Sequence, residues 1–344
     1  MRFDLDRLHR FTIAVLTSLD VLPEHADVTA ARLIEADLRG RTGHGLIRVP
    51  QYATRIEAGG INLRPEIALA RETPVSALVD GDNGLGQVVM TLAAETAVEK
   101  ARDNGMAWVG TVHSNHAGAA GVYTDMARSR DLIGIYLAVA SANVMPPWGG
   151  RERLLGTNPI SIAIPGEGPG FQLDIATTVT SHGTIKVLAQ RGETMPEGWV
   201  IDTEGNPITD PSKADDGFLV PIGGYKGSGL NMALGLLAGV LNDAAFGSEV
   251  IDHRAVPDQH ANTGQAIFMM RPDLFRDLDE FKASIDRHLD ELRGSGSPGA
   301  VHIPGEGAFQ LEAEQRRDGI PLPDKLLGQL RDLAARLGLD DDLR

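Results

Sequence analysis

The chain has 344 residues, enough for two or three domains, and ordinary apolar (42%) and charged (23%) fractions exclude disordered and fibrous classes. Its formal charge of -15, from 47 acidic against 32 basic residues, repels phosphate backbones and argues against nucleic-acid partners, so a site for an anionic ligand must supply its own cations. The lack of cysteine excludes disulfides, iron–sulfur clusters and thiol nucleophiles. The charged N-terminus MRFDLDRLHR does not read as a secretory signal, and no run approaches the roughly 18–20 apolar residues of a membrane span. A cytoplasmic protein with no membrane partner is expected.

Apolar side chains at Leu5, Leu8, Phe11, Val15, Leu16 and Leu19 predict a helix over 4–20. Further helices are expected over 28–39, stopped by Gly40, and over 49–58, with Pro50 in the first turn. The texture changes near residue 74. VSALVDGDNG reads as a strand and turn, 86–104 as a helix ending at Gly105, and MAWVGTV, LIGIYLAVA, ISIAIP and FQLDIATT as strands. WVIDTEGNPITDP reads as strand, turn and loop. Helices return over 228–242, 273–293, 307–318 and 323–337, interrupted by the strand QAIFMMR, and the tail DDDLR reads as a solvated end. The expected architecture is α/β (α+β): a central α/β domain, 71–223, inserted in a helical domain built from 1–70 and 224–344.

No G-x-G-x-x-G follows a first strand, and no G-x-x-x-x-G-K-[ST] occurs, so the usual Rossmann turn is absent. Gly81, Gly84 and Gly86 read either as an anion-binding helix start or as a plain turn. Six segments carry candidate chemistry. In GRTGHGLIRVPQY, His44 and Arg48 are four residues apart; a guanidinium grips a carboxylate and an imidazole passes a proton to a carbonyl oxygen. In VHSNHAGAAGVYTDMA, small residues open a helix after a strand, and His113 and His116 form only a weak metal pattern, so no metal is expected. Gly156-Thr157-Asn158-Pro159 is turn chemistry. Asp174 in LDIATT reads as a ligand acceptor or an N-cap. GGYKGSGLNMAL places Lys226 at a helix start, and HIPGEGA places Glu306 beside a glycine.

The order GHGLIR, SNHAGAAGVY, PWGG…LLGTNP, LDIATT, GGYKGSGL, IPGE resembles the type-2 malate/L-lactate dehydrogenase family, which includes L-sulfolactate, ureidoglycolate, 2,3-diketogulonate and piperideine-2-carboxylate enzymes. The likeness runs from about residue 4 to 322. It implies a homodimer, a non-Rossmann cofactor domain, and hydride transfer between NAD or NADP and a small 2-oxo or 2-hydroxy acid. It also implies that the cofactor lies across His116, Ala117, Gly118 and Gly121; Thr157, Asn158 and Pro159; Asp174, Ala176, Thr177 and Thr178; Tyr225 and Lys226; and Pro304, Gly305 and Glu306. His44, Arg48 and His116 would line the substrate pocket. Where the family commonly has serine, this chain has Gly43, so a serine relay to His44 is lost; Asp202 is the candidate for the aspartate of such a relay. Ser228 replaces a bulkier residue and would open the pocket slightly. Rival readings are a reductase of a cyclic imine acid, a metal-dependent hydrolase using His113 and His116, and a non-catalytic ligand-binding relative.

Overall fold

The computed structural model describes residues 1–344 except 298, 341, 342 and 344. Part of the expected tail therefore lies outside the described residues, while Leu343 within it is buried. The chain runs β1 (Arg2–Phe3), α1 (Leu5–Ser18), α2 (Pro23–Leu38), α3 (Val49–Glu57), β2 (Ala68–Thr73), β3 (Ser76–Asp80), α4 (Gly86–Asn104), β4 (Met106–Val112) and α5 (Ala120–Arg128). It continues through β5 (Ile133–Ala138), β6 (Ile160–Ile164), β7 (Phe171–Ile175), α6 (His182–Arg191), β8 (Val200–Ile201), β9 (Phe218–Leu219), α7 (Tyr225–Ala238) and β10 (Gln265–Met270). The last elements are α8 (Leu278–Gly294), α9 (Glu306–Asp318), β11 (Ile320–Pro321) and α10 (Asp324–Arg336).

Seven strands form one sheet in the order β2-β3-β4-β10-β5-β6-β7. Only β3 and β4 pair in parallel, because α4 is the crossover between them; the other neighbours are antiparallel. The alternating, β-branched segments predicted as strands sit here. β2 escaped the pattern because all six of its residues are exposed, so no buried face imposes alternation. β10 lies in the middle of the sheet, its residues facing β4 on one side and β5 on the other. The expected 71–223 unit thus lacks its own central strand, which returns from beyond residue 224. Alanines of α4 and α5 pack on one face of the sheet, while Leu234 and Ala238 of α7 meet Leu137 and Val139 on the other.

A second core belongs to the helical layer. Leu8, Phe11, Val15 and Leu16 of α1 meet Leu33 of α2, Tyr52 and Ile56 of α3, and Leu327 and Leu330 of α10. The two ends of the chain are stitched by β1 on β11, Phe3 opposite Ile320. α2 begins at Pro23, earlier than expected, because proline suits a first helical turn. α7 likewise begins at Tyr225, not at residue 228. No helix among the described residues is long and apolar enough to cross a membrane.

One buried carboxyl positions the loop that follows α2. Asp37 is 3% exposed, and its Oδ2 accepts from Leu46 N at 2.8 Å. A Cβ on Gly45 would sit 2.1 Å from Asp37 Oδ1, so only glycine lets the loop close over the carboxyl. Burial pushes Asp37 up to about 7, against the lowering pull of the Leu46 amide. The fold therefore tolerates the protonated form. This stability is complete below the unfolded pKa near 4 and is lost as pH rises through about 7. Asp37→Asn should accordingly gain roughly 2–3 kcal/mol on the wild type between pH 5 and pH 8, read by urea unfolding at both values. Stability differences that do not change with pH would contradict the assignment.

Candidate active site

The loop held by Asp37 consists of two short 3-10 turns, Thr42–His44 and Leu46–Arg48, broken at the extended Gly45. His44 and Arg48 are therefore not on one α-helical face as their spacing implied, yet both line the same cleft. Arg48 Nε donates to Gly43 O at 2.7 Å and Nη1 to Gln51 Oε1 at 2.8 Å, which fixes the guanidinium plane. The β4–α5 loop supplies His116, Ala117 and Gly118; the turn before β6 supplies Thr157 and Pro159; and Arg254 enters from the segment before β10.

Three histidines meet at this junction. His44 and His116 stack, ring centroids 5.3 Å apart, with Nδ1 of His44 3.2 Å from Nε2 of His116. His253 stands edge-on to His116 at 6.1 Å. The buried hydroxyl of Tyr52 lies 2.7 Å from His116 Nδ1 and accepts from Gln87 Nε2 at 2.6 Å. Burial, then the charges of Arg48 and Arg41, push His44 down to about 3. Burial, then Arg48 and the two other imidazoles, hold His116 well below its ordinary value, and burial, then Arg55 and Arg48, push His253 down to about 4. All three are neutral near pH 7. The positive charge of the cleft belongs to its arginines: Arg48, bonded to uncharged oxygens, is the local cation that an acidic protein needs for an anionic ligand, while Asp252 grips Arg254 through two bonds at 2.9 and 2.8 Å.

Other expected residues serve the frame. Asn158, with φ 22°, is completely buried; its Oδ1 accepts from Ala140 N at 3.0 Å and its Nδ2 donates to Asn231 Oδ1 at 2.9 Å. Thr177 Oγ1 donates to Thr157 O and accepts from Asn231 Nδ2, and Thr178 Oγ1 donates to Thr180 O. These side chains knot β6, β7 and α7 together beneath the cleft; Ala176 lies half-buried between them and Asp174. Asp174 caps α5 from outside that helix: its Oδ2 accepts from the first-turn amide Gly121 N at 3.1 Å and faces Arg41 Nε at 3.5 Å, while burial raises its pKa. Gly86 is a packing glycine and not a phosphate loop, since a Cβ there would meet Asn115 O at 2.3 Å. The amides of Gly81 and Gly84 are likewise taken by Val112 O and Gly81 O.

Several expected residues lie outside the cleft. Asp202 is half-buried, and its carboxylate accepts from the backbone of Glu204 and from Asn206 within its own turn. It lines a separate groove with Trp148 and is not brought to His44. Ser228 is buried, accepting from Trp148 N at 2.9 Å, so it does not enlarge the pocket. Tyr225 and Lys226 are exposed at the start of α7. Pro304, Gly305 and Glu306 pack at the β7 edge, where Pro304 O accepts from Gln172 N and Glu306 pairs with Arg293. His113 faces Asp80 at 3.0 Å, so the two histidines of the metal reading turn to different partners. Tyr52, Gln87, His253 and Arg254 were missed. Tyr52 closes the GRTGHGLIRVPQY segment, four residues after Arg48, and that spacing was the available signal.

Small side chains form one wall of the cleft. Residues 138–142 read Ala-Val-Ala-Ser-Ala and line the cleft with small side chains. Gly118, at φ 86°, leaves only Gln87 Nε2 and His44 O near a Cβ position, at 3.6 and 3.7 Å. Backbone there can be approached closely.

The family model for malate/L-lactate dehydrogenase matches residues 3–331. The chain is 38% identical to L-sulfolactate dehydrogenase of Methanocaldococcus jannaschii over 96% of both chains. It is 34% identical to ureidoglycolate dehydrogenase (NAD(+)) of Escherichia coli K12, over 95% of this chain and 94% of that one. The solved structure of malate dehydrogenase from Pyrococcus horikoshii superposes with a TM-score of 0.90 at 33% identity, covering 99% of this chain and 96% of that one. The mixed sheet, the missing Rossmann turn and the histidine–arginine cleft therefore belong to one lineage: the chain is a member of the malate/L-lactate dehydrogenase family, an NAD(P)-dependent hydroxyacid dehydrogenase.

Proposed function

We propose that this cleft interconverts a small 2-oxo acid and its 2-hydroxy acid, of the malate, sulfolactate or ureidoglycolate kind. The observation that carries the reading is the convergence of Arg48 and Arg254 with the stacked His44–His116 pair in one cleft of a protein carrying a charge of -15. Arg48 binds the substrate carboxylate, and Arg254, held in place by Asp252, meets a second carboxylate or sulfonate. His44, whose Nδ1 is engaged by His116, turns Nε2 to the carbonyl oxygen and moves the proton there. Gly118, Thr157, Pro159 and the small residues 138–142 hold the nicotinamide, which when bound supplies or takes the hydride at the substrate's C2. The knot of Asn158, Thr177 and Thr178 keeps that wall rigid, and Ala117 lines it. A cytoplasmic site of action is part of the same reading.

A second copy of the chain completes the assembly. Leu230, Leu236, Leu237, Val240 and Leu241, on α7 and the turn after it, are 39–62% exposed, a continuous apolar strip on the side of the sheet opposite α4. Tyr225 and Lys226 open that helix, and Trp148 lies against Gly224 beside the groove of Asp202. These family-matched residues therefore sit where a partner subunit would meet them.

A panel of pyruvate, oxaloacetate, sulfopyruvate, oxalurate, diketogulonate and piperideine-2-carboxylate, scored by NADH and NADPH oxidation, identifies the substrate. On the best one, Arg48→Ala should lower kcat/KM by roughly 30- to 1000-fold, chiefly through KM, as expected for about 2–4 kcal/mol of charge-assisted binding. A change under threefold with native circular dichroism would remove Arg48 from the site. Sedimentation at micromolar concentration should show twice the 36.7 kDa chain mass, with Leu237→Asp shifting it to monomer; an active 36.7 kDa wild-type species would contradict the dimer.

A further inference from the structure

Four side chains from four separate segments form one line of hydrogen bonds behind the cleft. Gln87, in the first turn of α4, is completely buried and places Nε2 2.6 Å from the Tyr52 hydroxyl. Tyr52, on α3, places that hydroxyl 2.7 Å from His116 Nδ1. His116 Nε2 lies 3.2 Å from His44 Nδ1. The directions of these bonds are coupled. An amide N–H only donates, so the Tyr52 oxygen accepts from Gln87 and its single O–H goes to His116 Nδ1 at 2.7 Å, much nearer than the His116 carbonyl oxygen at 3.5 Å. A neutral imidazole that accepts at Nδ1 carries its proton on Nε2, and that proton goes to His44 Nδ1. His44 then carries its own proton on Nε2, the nitrogen left for the cleft.

We infer that Gln87 and Tyr52 are positioning residues that set the direction of a proton relay through His116, so that His44 presents a proton and not a lone pair to the substrate oxygen. The inference rests on the reading of His44 as the group at that oxygen. When the substrate carbon accepts the hydride, the His44 Nε2–H bond breaks as the O–H bond forms. His44 Nδ1 takes the proton of His116 Nε2, and His116 Nδ1 takes the proton of Tyr52. Neither imidazole changes charge, which suits groups that burial keeps neutral. The negative charge ends on the Tyr52 oxygen; burial pushes that hydroxyl up to about 12, and the Gln87 N–H, Arg48 and Arg55 oppose the rise. Oxidation of the hydroxy acid runs the same transfers backwards.

The direction depends on a single amide. Gln87 Oε1 is buried without a partner among the described residues. Half a turn of the amide would aim it at Tyr52 and reverse every bond in the line. Histidine tautomers are directly visible by long-range proton–nitrogen correlation on protein labelled with ¹⁵N-histidine and free of cofactor. The relay requires His116 and His44 both protonated on Nε2 in the wild type. In Tyr52→Phe, His116 Nδ1 loses its donor, its nitrogen shifts should move to those of mixed tautomers, and kcat should fall about 100-fold with KM changed less than threefold. A wild-type His116 protonated on Nδ1, or nitrogen shifts that Tyr52→Phe leaves in place, would overturn the relay. The tautomer measurement involves no substrate, so it fails or holds independently of the 2-oxo acid panel.

Discussion

Asn115 is the joint on which the site depends. It is 3% exposed, and its side chain is saturated: Nδ2 donates to Asn83 O, Asn83 Oδ1 and Gly84 O, while Oδ1 accepts from Arg55 Nη2 at 2.9 Å. Arg55 belongs to α3 in the helical layer and Asn115 to the loop leaving the central sheet, so this charge-assisted bond ties the two cores together. Arg55 is itself buried and needs oxygens to offset its desolvation; Gly60 O and Gln259 O share Nη2 with Asn115. His116 follows Asn115 directly, and Tyr52 precedes Arg55 on the same helix. The geometry that brings the tyrosine hydroxyl to the imidazole is thus set one residue away from the joint, and Gly86 admits the loop by having no side chain at all.

Burial then decides what the histidines are. In water, imidazoles would titrate near neutrality; burial and the nearby arginines keep these neutral, as the proposed relay requires. In the proposed reading the arginines keep their charge and take the carboxylate. Separating the two tasks, fixed cations for binding and neutral rings for proton movement, is compatible with an overall charge of -15 because the field of the cleft is local. The serine missing at Gly43 loses its urgency in this arrangement: His44 is oriented by His116 stacking on it from behind, and Gly43 contributes its carbonyl to Arg48 instead.

Much of this was legible in the sequence because it is periodic or punctuated. The α4 boundaries, Gly86–Asn104, follow from a helical pattern closed by Gly105, and the β4 and β10 segments from unbroken apolar runs. The position of β10 between β4 and β5 was not legible, since pairing partners far apart in sequence leave no local mark. His44, Arg48 and His116 stood out through their glycine-rich surroundings. Gln87, His253 and Arg254 did not, because a buried amide in an alanine-rich helix and an Asp-His-Arg run in a loop resemble ordinary helix and loop residues until the fold brings Arg254 to the cleft and sets Gln87 and His253 behind it, against Tyr52 and His116. Asp202 was misplaced for the converse reason: an Asp-x-x-x-Asn turn satisfies its own carboxylate locally.

The most direct measurement is the crystal structure of the protein with NADH and oxamate, an unreactive mimic of a 2-oxo acid. The account places the oxamate carboxylate on the Arg48 guanidinium and its amide oxygen within hydrogen-bond distance, about 2.6–3.2 Å, of His44 Nε2. Oxamate bound with its carboxylate turned away from Arg48, or outside the cleft of His44 and His116, would contradict it.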